Sequence, residues 1–127
     1  MILITGGAYQ GKTEYAKTHF QFAVTDGASC EFDDSKTAKI LKNYHVLVRR
    51  MIESGIDAEA YTRELCKTNP DCVILINDVG SGIIPMEKQE RIWRENVGRA
   101  GCILAEQSST VIRLICGIPT AIKGTLL

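Results

Sequence analysis

Eight residues close to the N-terminus, Gly6-Gly7-Ala8-Tyr9-Gln10-Gly11-Lys12-Thr13, satisfy the phosphate-binding pattern G-x-x-x-x-G-K-[ST] at each fixed position. The pattern restricts the fold strongly, because it works as a turn between a buried strand and a helix. A loop this tight must aim its backbone N–H groups inward around a chain of phosphates, and glycine permits that by tolerating positive φ. Gly6, Gly7 and Gly11 are expected to supply that freedom, with Ala8, Tyr9 and Gln10 completing the cradle. Lys12 is expected against the β- and γ-phosphates, and the Thr13 hydroxyl in the coordination shell of Mg²⁺. Before the loop, Met1-Ile2-Leu3-Ile4-Thr5 reads as a buried parallel strand. After it, residues 13–20 start a helix whose N-terminus adds partial positive charge to the phosphate site. The chain therefore reads as a nucleotide-handling protein, with ATP or GTP and Mg²⁺ as its cofactors.

The 127 residues suffice for one domain with an ordinary core, and domain 1–127 is taken as a single nucleotide-binding unit. Lys plus Arg and Asp plus Glu number 15 each, so no net field draws the chain to nucleic acid or an anionic membrane. That balance favours a small ligand. The five cysteines are an odd number without a C-x-x-C pair, which suits neither a disulfide framework nor a zinc site. Reduced, largely buried thiols in a cytoplasm are expected instead. The N-terminus lacks a basic region followed by a long apolar stretch, so no signal peptide is expected, and no apolar run is long enough to span a bilayer.

Further along, residues 20–25 are expected to form a second strand, ended by the turn signal Asp26-Gly27. A helix opening at Asp34 or Ser35 and running to about 54 is indicated by Ile40, Leu41, Tyr44, Leu47, Val48, Met51 and Ile52 at intervals of three and four. Asp57 is placed to cap a shorter helix over 58–67, ended by Asn69-Pro70. Cys72-Val73-Ile74-Leu75-Ile76 is a second emphatic strand, and Asp78 would lie beside the phosphate loop if the two strands are neighbours. Residues 86–106 read as a long helix, and 110–116 with 120–123 as a closing hairpin across Gly117-Ile118-Pro119. The fold class is α/β: a mainly parallel sheet flanked by helices, with a C-terminal hairpin.

Three segments carry a likeness. They are Ile2-Leu3-Ile4-Thr5-Gly6-Gly7-Ala8 running into Gly11-Lys12-Thr13, then Asn77-Asp78-Val79-Gly80-Ser81-Gly82-Ile83-Ile84-Pro85, and Gly98-Arg99 with Leu104-Ala105, Gly117-Ile118-Pro119 and Ile122-Lys123. Together they resemble the bifunctional adenosylcobinamide kinase and adenosylcobinamide-phosphate guanylyltransferase family of cobalamin biosynthesis, whose patterns include T-G-G-A, N-E-V-G-x-G-I-V-P and G-x-P-x-x-x-K. The resemblance covers both ends of the chain and leaves its middle unmatched. It implies a RecA-like P-loop sheet, a homo-oligomer, and two reactions: phosphorylation of a corrinoid hydroxyl by a nucleoside triphosphate, then transfer of GMP from GTP.

Asp78 stands where the family has Glu, which makes it the candidate for catalysis and Mg²⁺ coordination. The family's second reaction uses a guanylylated histidine in a pattern like D-D-E-M-x-x-R-I-x-H. The nearest stretch here is residues 33–42, where Lys42 occupies the histidine position. His45, about one turn further along the expected helix, is a candidate displaced nucleophile, set against an ordinary surface or core-edge histidine. Between the second strand and Asn77, the family's apolar strand with its own acidic residue and the helices after it are expected to be missing. Arg91, Arg94 and Arg99 are candidates for phosphate or subunit contacts or for a plain solvated face; Trp93 suits core or interface, and Lys123 approaches nucleotide on resemblance alone.

Three functions are consistent with these residues: a nucleotide-dependent kinase of corrinoid salvage, with or without GMP transfer; a non-catalytic nucleotide-binding module; and a P-loop kinase or NTPase for another small molecule.

Overall fold

The apolar runs become the centre of a six-stranded sheet in the computed structural model, which describes residues 1–79 and 87–127. In chain order the elements begin with β1 (Ile2–Gly6), α1 (Lys12–His19), β2 (Val24–Asp26) and a 3₁₀ turn at Phe32–Lys36. They continue with β3 (Ile40–Lys42), α2 (Tyr44–Glu53), α3 (Ala58–Thr68) and β4 (Val73–Asn77), and end with α4 (Lys88–Gln107), β5 (Thr110–Ile115) and β6 (Ile118–Lys123). The spatial order is β2-β3-β4-β1-β5-β6, parallel throughout except for β6.

The phosphate-loop strand therefore lies inside the sheet, with Gly6 level with Asn77 of β4 on one side and Leu114 of β5 on the other. Residues on successive positions face opposite layers. Leu3, Leu41, Ile74, Ile76 and Val111 pack under α2, α3 and α4, while Ile4, Ile40, Val73, Leu75 and Leu114 pack with Ala16 of α1. Burial on both faces explains why β1 and β4 read as unbroken apolar runs rather than alternating ones.

Several expectations hold with small changes of boundary. Asp57 caps α3 by accepting from the Glu59 and Ala60 N–H groups, and Lys88–Gln107 replaces 86–106 as the long helix. The hairpin is present, but its turn is Cys116-Gly117, both at positive φ (51° and 76°), the geometry of a two-residue type I′ connection. Pro119 then falls in the edge strand, where a missing N–H is tolerated.

The expected helix from 34 or 35 to 54 is wrong in its first half. Ile40 and Leu41 form β3, sandwiched between β2 and β4, and Asn43 at φ 57° separates that strand from α2. The spacing of the apolar residues suits a helix, but two flanking strands supply backbone partners that override it. A strand and helices do occupy the interval before Asn77 where the family's were expected to be missing, namely β3, α2 and α3, but β3 (Ile40–Lys42) carries no acidic residue of its own. The second strand is also shorter than residues 20–25, since its partner β3 offers three residues, and Phe22 is left exposed. Nor are the thiols largely buried: Cys72 is, Cys30 and Cys66 are half-buried, and Cys102 and Cys116 are exposed. The motif residues Gly80, Ser81, Gly82, Ile83, Ile84 and Pro85 lie outside the described residues.

Gly6 is where strand and loop meet at φ 148°, and a Cβ there would stand 2.5 Å from the Leu114 carbonyl oxygen. Gly6→Ala is expected to cost about 2–4 kcal/mol, read as a lower urea midpoint at unchanged slope.

Candidate functional site

The loop closes over the N-terminus of α1. Gly6 and Gly11 take positive φ (148° and 89°) as expected; Gly7 does not, and Tyr9 takes it instead at φ 60° with its ring in solvent. The far side of the loop is tied to the hairpin turn: the Gln10 carbonyl accepts the Gly117 N–H at 3.1 Å, and the Gln10 side-chain oxygen accepts the Cys116 N–H. Residues 8–14 then line a cleft of about 410 Å³ together with Asn43 and Asn77.

Lys12 is buried, with Nζ donating to the Gly7 carbonyl at 2.7 Å and reaching the Gly6 carbonyl at 3.4 Å. Burial lowers its pKa, against the opposing pull of the Asp78 carboxylate. Thr13, half-buried in the first turn of α1, lines the same cleft. The α1 N-terminus adds its dipole there.

Asp78 lies where the neighbouring-strand argument puts it. Its N–H donates to the Gly6 carbonyl at 2.9 Å, Oδ1 accepts from the Thr5 hydroxyl at 2.9 Å, and Oδ2 is 3.5 Å from Nη2 of Arg113. Thr5 and Arg113 were not singled out among the sequence candidates. Arg113 has a legible signal all the same: it is the one charge in the apolar strand Thr110–Ile115.

His45 opens α2 rather than sitting mid-helix. It is buried, its Nδ1 accepts the Asn77 N–H at 3.1 Å, and its carbonyl accepts Trp93 Nε1 at 2.8 Å. Burial, and then the nearby Lys12 charge, push its pKa down to about 4. The imidazole is thus neutral, with the Nδ1 lone pair engaged and the proton on Nε2. Lys42 ends β3, 3.9 Å from the Asp26 carboxylate, so Lys42 and His45 do not share a helix face. Asp26 also accepts from Asn43 Nδ2 and the Ala28 N–H, each at 2.9 Å. Burial pushes its pKa up, but these hydrogen bonds and Lys42 together hold it below the usual carboxylate range.

Trp93, Arg99 and Lys123 have partners elsewhere. Trp93 carries the Arg49 guanidinium 4.0 Å above its ring, and Arg99 pairs with Glu59 at 3.3 Å and with Glu95. Lys123 lies at the opposite end of the sheet, beside Val111, where Nζ donates to the Ala105 and Glu106 carbonyls and closes the end of α4.

Residues 37–122 match the family described as cobinamide kinase / cobinamide phosphate guanyltransferase. The matched part runs from just before β3 to the end of β6 and includes Asp78, while the phosphate loop precedes it. No curated protein matches the sequence.

His45 gives the folded chain a pH dependence. Its proton binds below the ordinary value of 6.5, so the unfolded chain holds more protons between there and about pH 4. Its contribution is complete above pH 6.5 and falls as pH drops through that window, by up to about 3 kcal/mol. Urea titrations of wild type and His45→Asn, which keeps a neutral acceptor, are expected to show a flatter profile for the variant between pH 6.5 and 4.

Proposed function

The chain belongs to the cobinamide kinase / cobinamide phosphate guanyltransferase family, and on that premise we propose that it is an adenosylcobinamide kinase using ATP or GTP. The observation that carries this reading is the convergence of Lys12, Thr13 and Asp78 at one end of the paired strands β1 and β4. Phosphoryl transfer asks a protein mainly to position groups and to neutralise charge. The loop and the α1 N-terminus hold the triphosphate, and the Lys12 ammonium leaves the Gly7 carbonyl for the β- and γ-phosphates.

Thr13 and Asp78 would hold Mg²⁺, and the oxygen-only donors suit a hard ion that keeps several waters and shares phosphate oxygens. Because Thr5 and Arg113 already engage both Asp78 oxygens, its hold would run through water. An ion held by these residues would supply positive charge to offset that of the transferring phosphate. Homo-oligomer assembly belongs to the same reading, supported by Ile115 and Ile118 exposed on the hairpin. Among the described residues no helix is long and apolar enough to cross a membrane.

The kinase half of the family chemistry fits better than the guanylyl half. A histidine nucleophile needs an available lone pair, and the Nδ1 pair of His45 is bonded to Asn77, while Lys42 faces Asp26. A second reading, a nucleotide-binding module without turnover, draws on β3, which presents Lys42 and Asn43 at its end rather than a carboxylate.

Incubation with Mg²⁺, adenosylcobinamide and ATP or GTP is expected to give adenosylcobinamide phosphate, with kcat reduced about a hundredfold or more in Lys12→Ala. Nucleotide binding without product would favour the module; transfer to other alcohols while corrinoids are ignored would favour an unrelated kinase.

A further inference from the structure

A second cavity adjoins the phosphate cleft. It is a groove of about 560 Å³ that runs beside α4, along the edge of the helix's packing on β1, β4 and β5. Its length is apolar, with Leu3, Val97, Val111 and Ile122 along the walls, and one end is charged, where Thr5, Asp78 and Arg113 meet. Asn77 lines both the groove and the phosphate cleft, so the two spaces share a wall at the carboxyl end of β4.

The α4 side of the groove carries Gly98 and Gly101, both inside a twenty-residue helix. Glycine is among the least favourable residues for a helix interior. The usual reason to keep one is a close neighbour that excludes a side chain. Neither position has it: no described atom lies within 4 Å of a Cβ built on either residue. Among the described residues, nothing occupies the room above these glycines.

We propose that this groove seats the acceptor alcohol of the phosphoryl transfer, with its hydroxyl at the Asp78 end and its apolar body along α4, and that Arg113 holds the phosphate of the product. The assignment rests on the kinase reading for its substrate class, a corrinoid whose hydroxyl-bearing arm and macrocycle edge enter the groove. Of the possible occupants, an acceptor matches both ends: it needs apolar contact over most of its length and a polar terminus beside the γ-phosphate. A segment of a second copy would have no need of the charged end.

In the step itself the acceptor oxygen bonds to the γ-phosphorus, and the bond from that phosphorus to the β–γ bridging oxygen breaks. The nucleoside diphosphate leaves with the electron pair. The hydroxyl proton passes to water and on to solvent. Arg113, 3.5 Å from the Asp78 carboxylate and half in solvent, can swing its guanidinium to the new phosphate monoester, which offers the planar fork a two-oxygen partner.

The test fills the groove from α4. Gly101→Leu is expected to raise KM and Kd for adenosylcobinamide at least tenfold, with Kd for ATP and GTP within twofold of wild type and the thermal midpoint unchanged or higher. Gly101→Ala, which adds one methyl group, should stay within threefold on all counts.

A measurement on wild type guards against a variant that does not fold. Cys102 is exposed and lines the groove, whereas Cys116 is exposed on the hairpin turn. Adenosylcobinamide is expected to slow maleimide labelling of Cys102 at least fivefold and leave Cys116 unaffected. Corrinoid binding that Gly101→Leu abolishes, without any phosphate transfer, would uphold the groove and remove the kinase reading. Transfer with unchanged KM in Gly101→Leu, or with Cys102 unprotected, would remove the groove and leave the kinase. Wild type that binds no corrinoid overturns both, and Cys102 protection that tracks protein concentration instead of corrinoid assigns the groove to a second copy and overturns the proposal.

Discussion

The position of β1 between β4 and β5 governs the functional end of the molecule. Parallel pairing on both sides brings Gly6, Asn77 and Leu114 level with one another. The segments that leave these three residues then arrive at one place: the phosphate loop after Gly6, Asp78 after Asn77, and the Cys116-Gly117 turn shortly after Leu114. Backbone hydrogen bonds from Asp78 to Gly6 and from Gly117 to Gln10 carry the pairing beyond the strands into the loops. The three groups belong to distant parts of the chain, and a sheet lets them meet without any long loop reaching across.

The electrostatics of this end are arranged around Lys12. A buried ammonium needs acceptors, and the loop's own carbonyls at Gly6 and Gly7 provide them, with the Asp78 carboxylate favouring its charge. The same positive charge discourages a second one nearby, which is part of why His45 stays neutral. That neutral imidazole in turn satisfies the N–H of Asn77, the last residue of β4. The lysine, the histidine and the end of the central strand therefore share one solution to the problem of polar groups under cover. Arg113 sits outside this arrangement, half-exposed beside Asp78.

Much of this was legible in the sequence, and the failures have a common cause. The strand before the loop, the helix after it, the Asp57 cap and the placement of Asp78 all rest on local chemistry with few alternatives. β3 was missed because three residues are too few to display a strand period, and because Ile40 and Leu41 continue a helical spacing that properly begins at Tyr44. Only the pairing with β2 and β4 distinguishes the two, and pairing is not local. That single error also placed Lys42 and His45 on one imagined helix face. Lys123, which resemblance pointed toward nucleotide, closes the end of α4 instead, and the backbone carbonyls it meets are invisible in a motif. Resemblance did locate the family, whose match spans β3 to β6.

Gln10 is bonded through both its carbonyl and its side chain to a turn more than a hundred positions later in the chain. The order of synthesis therefore matters. Until the C-terminal part of the chain has been made, the loop lacks the brace that fixes Gln10. Contacts of such sequence separation carry a loop-closure cost, because the intervening chain must first be closed into a loop. The phosphate cradle, although encoded at the very beginning of the message, takes its finished shape only when the terminal hairpin docks.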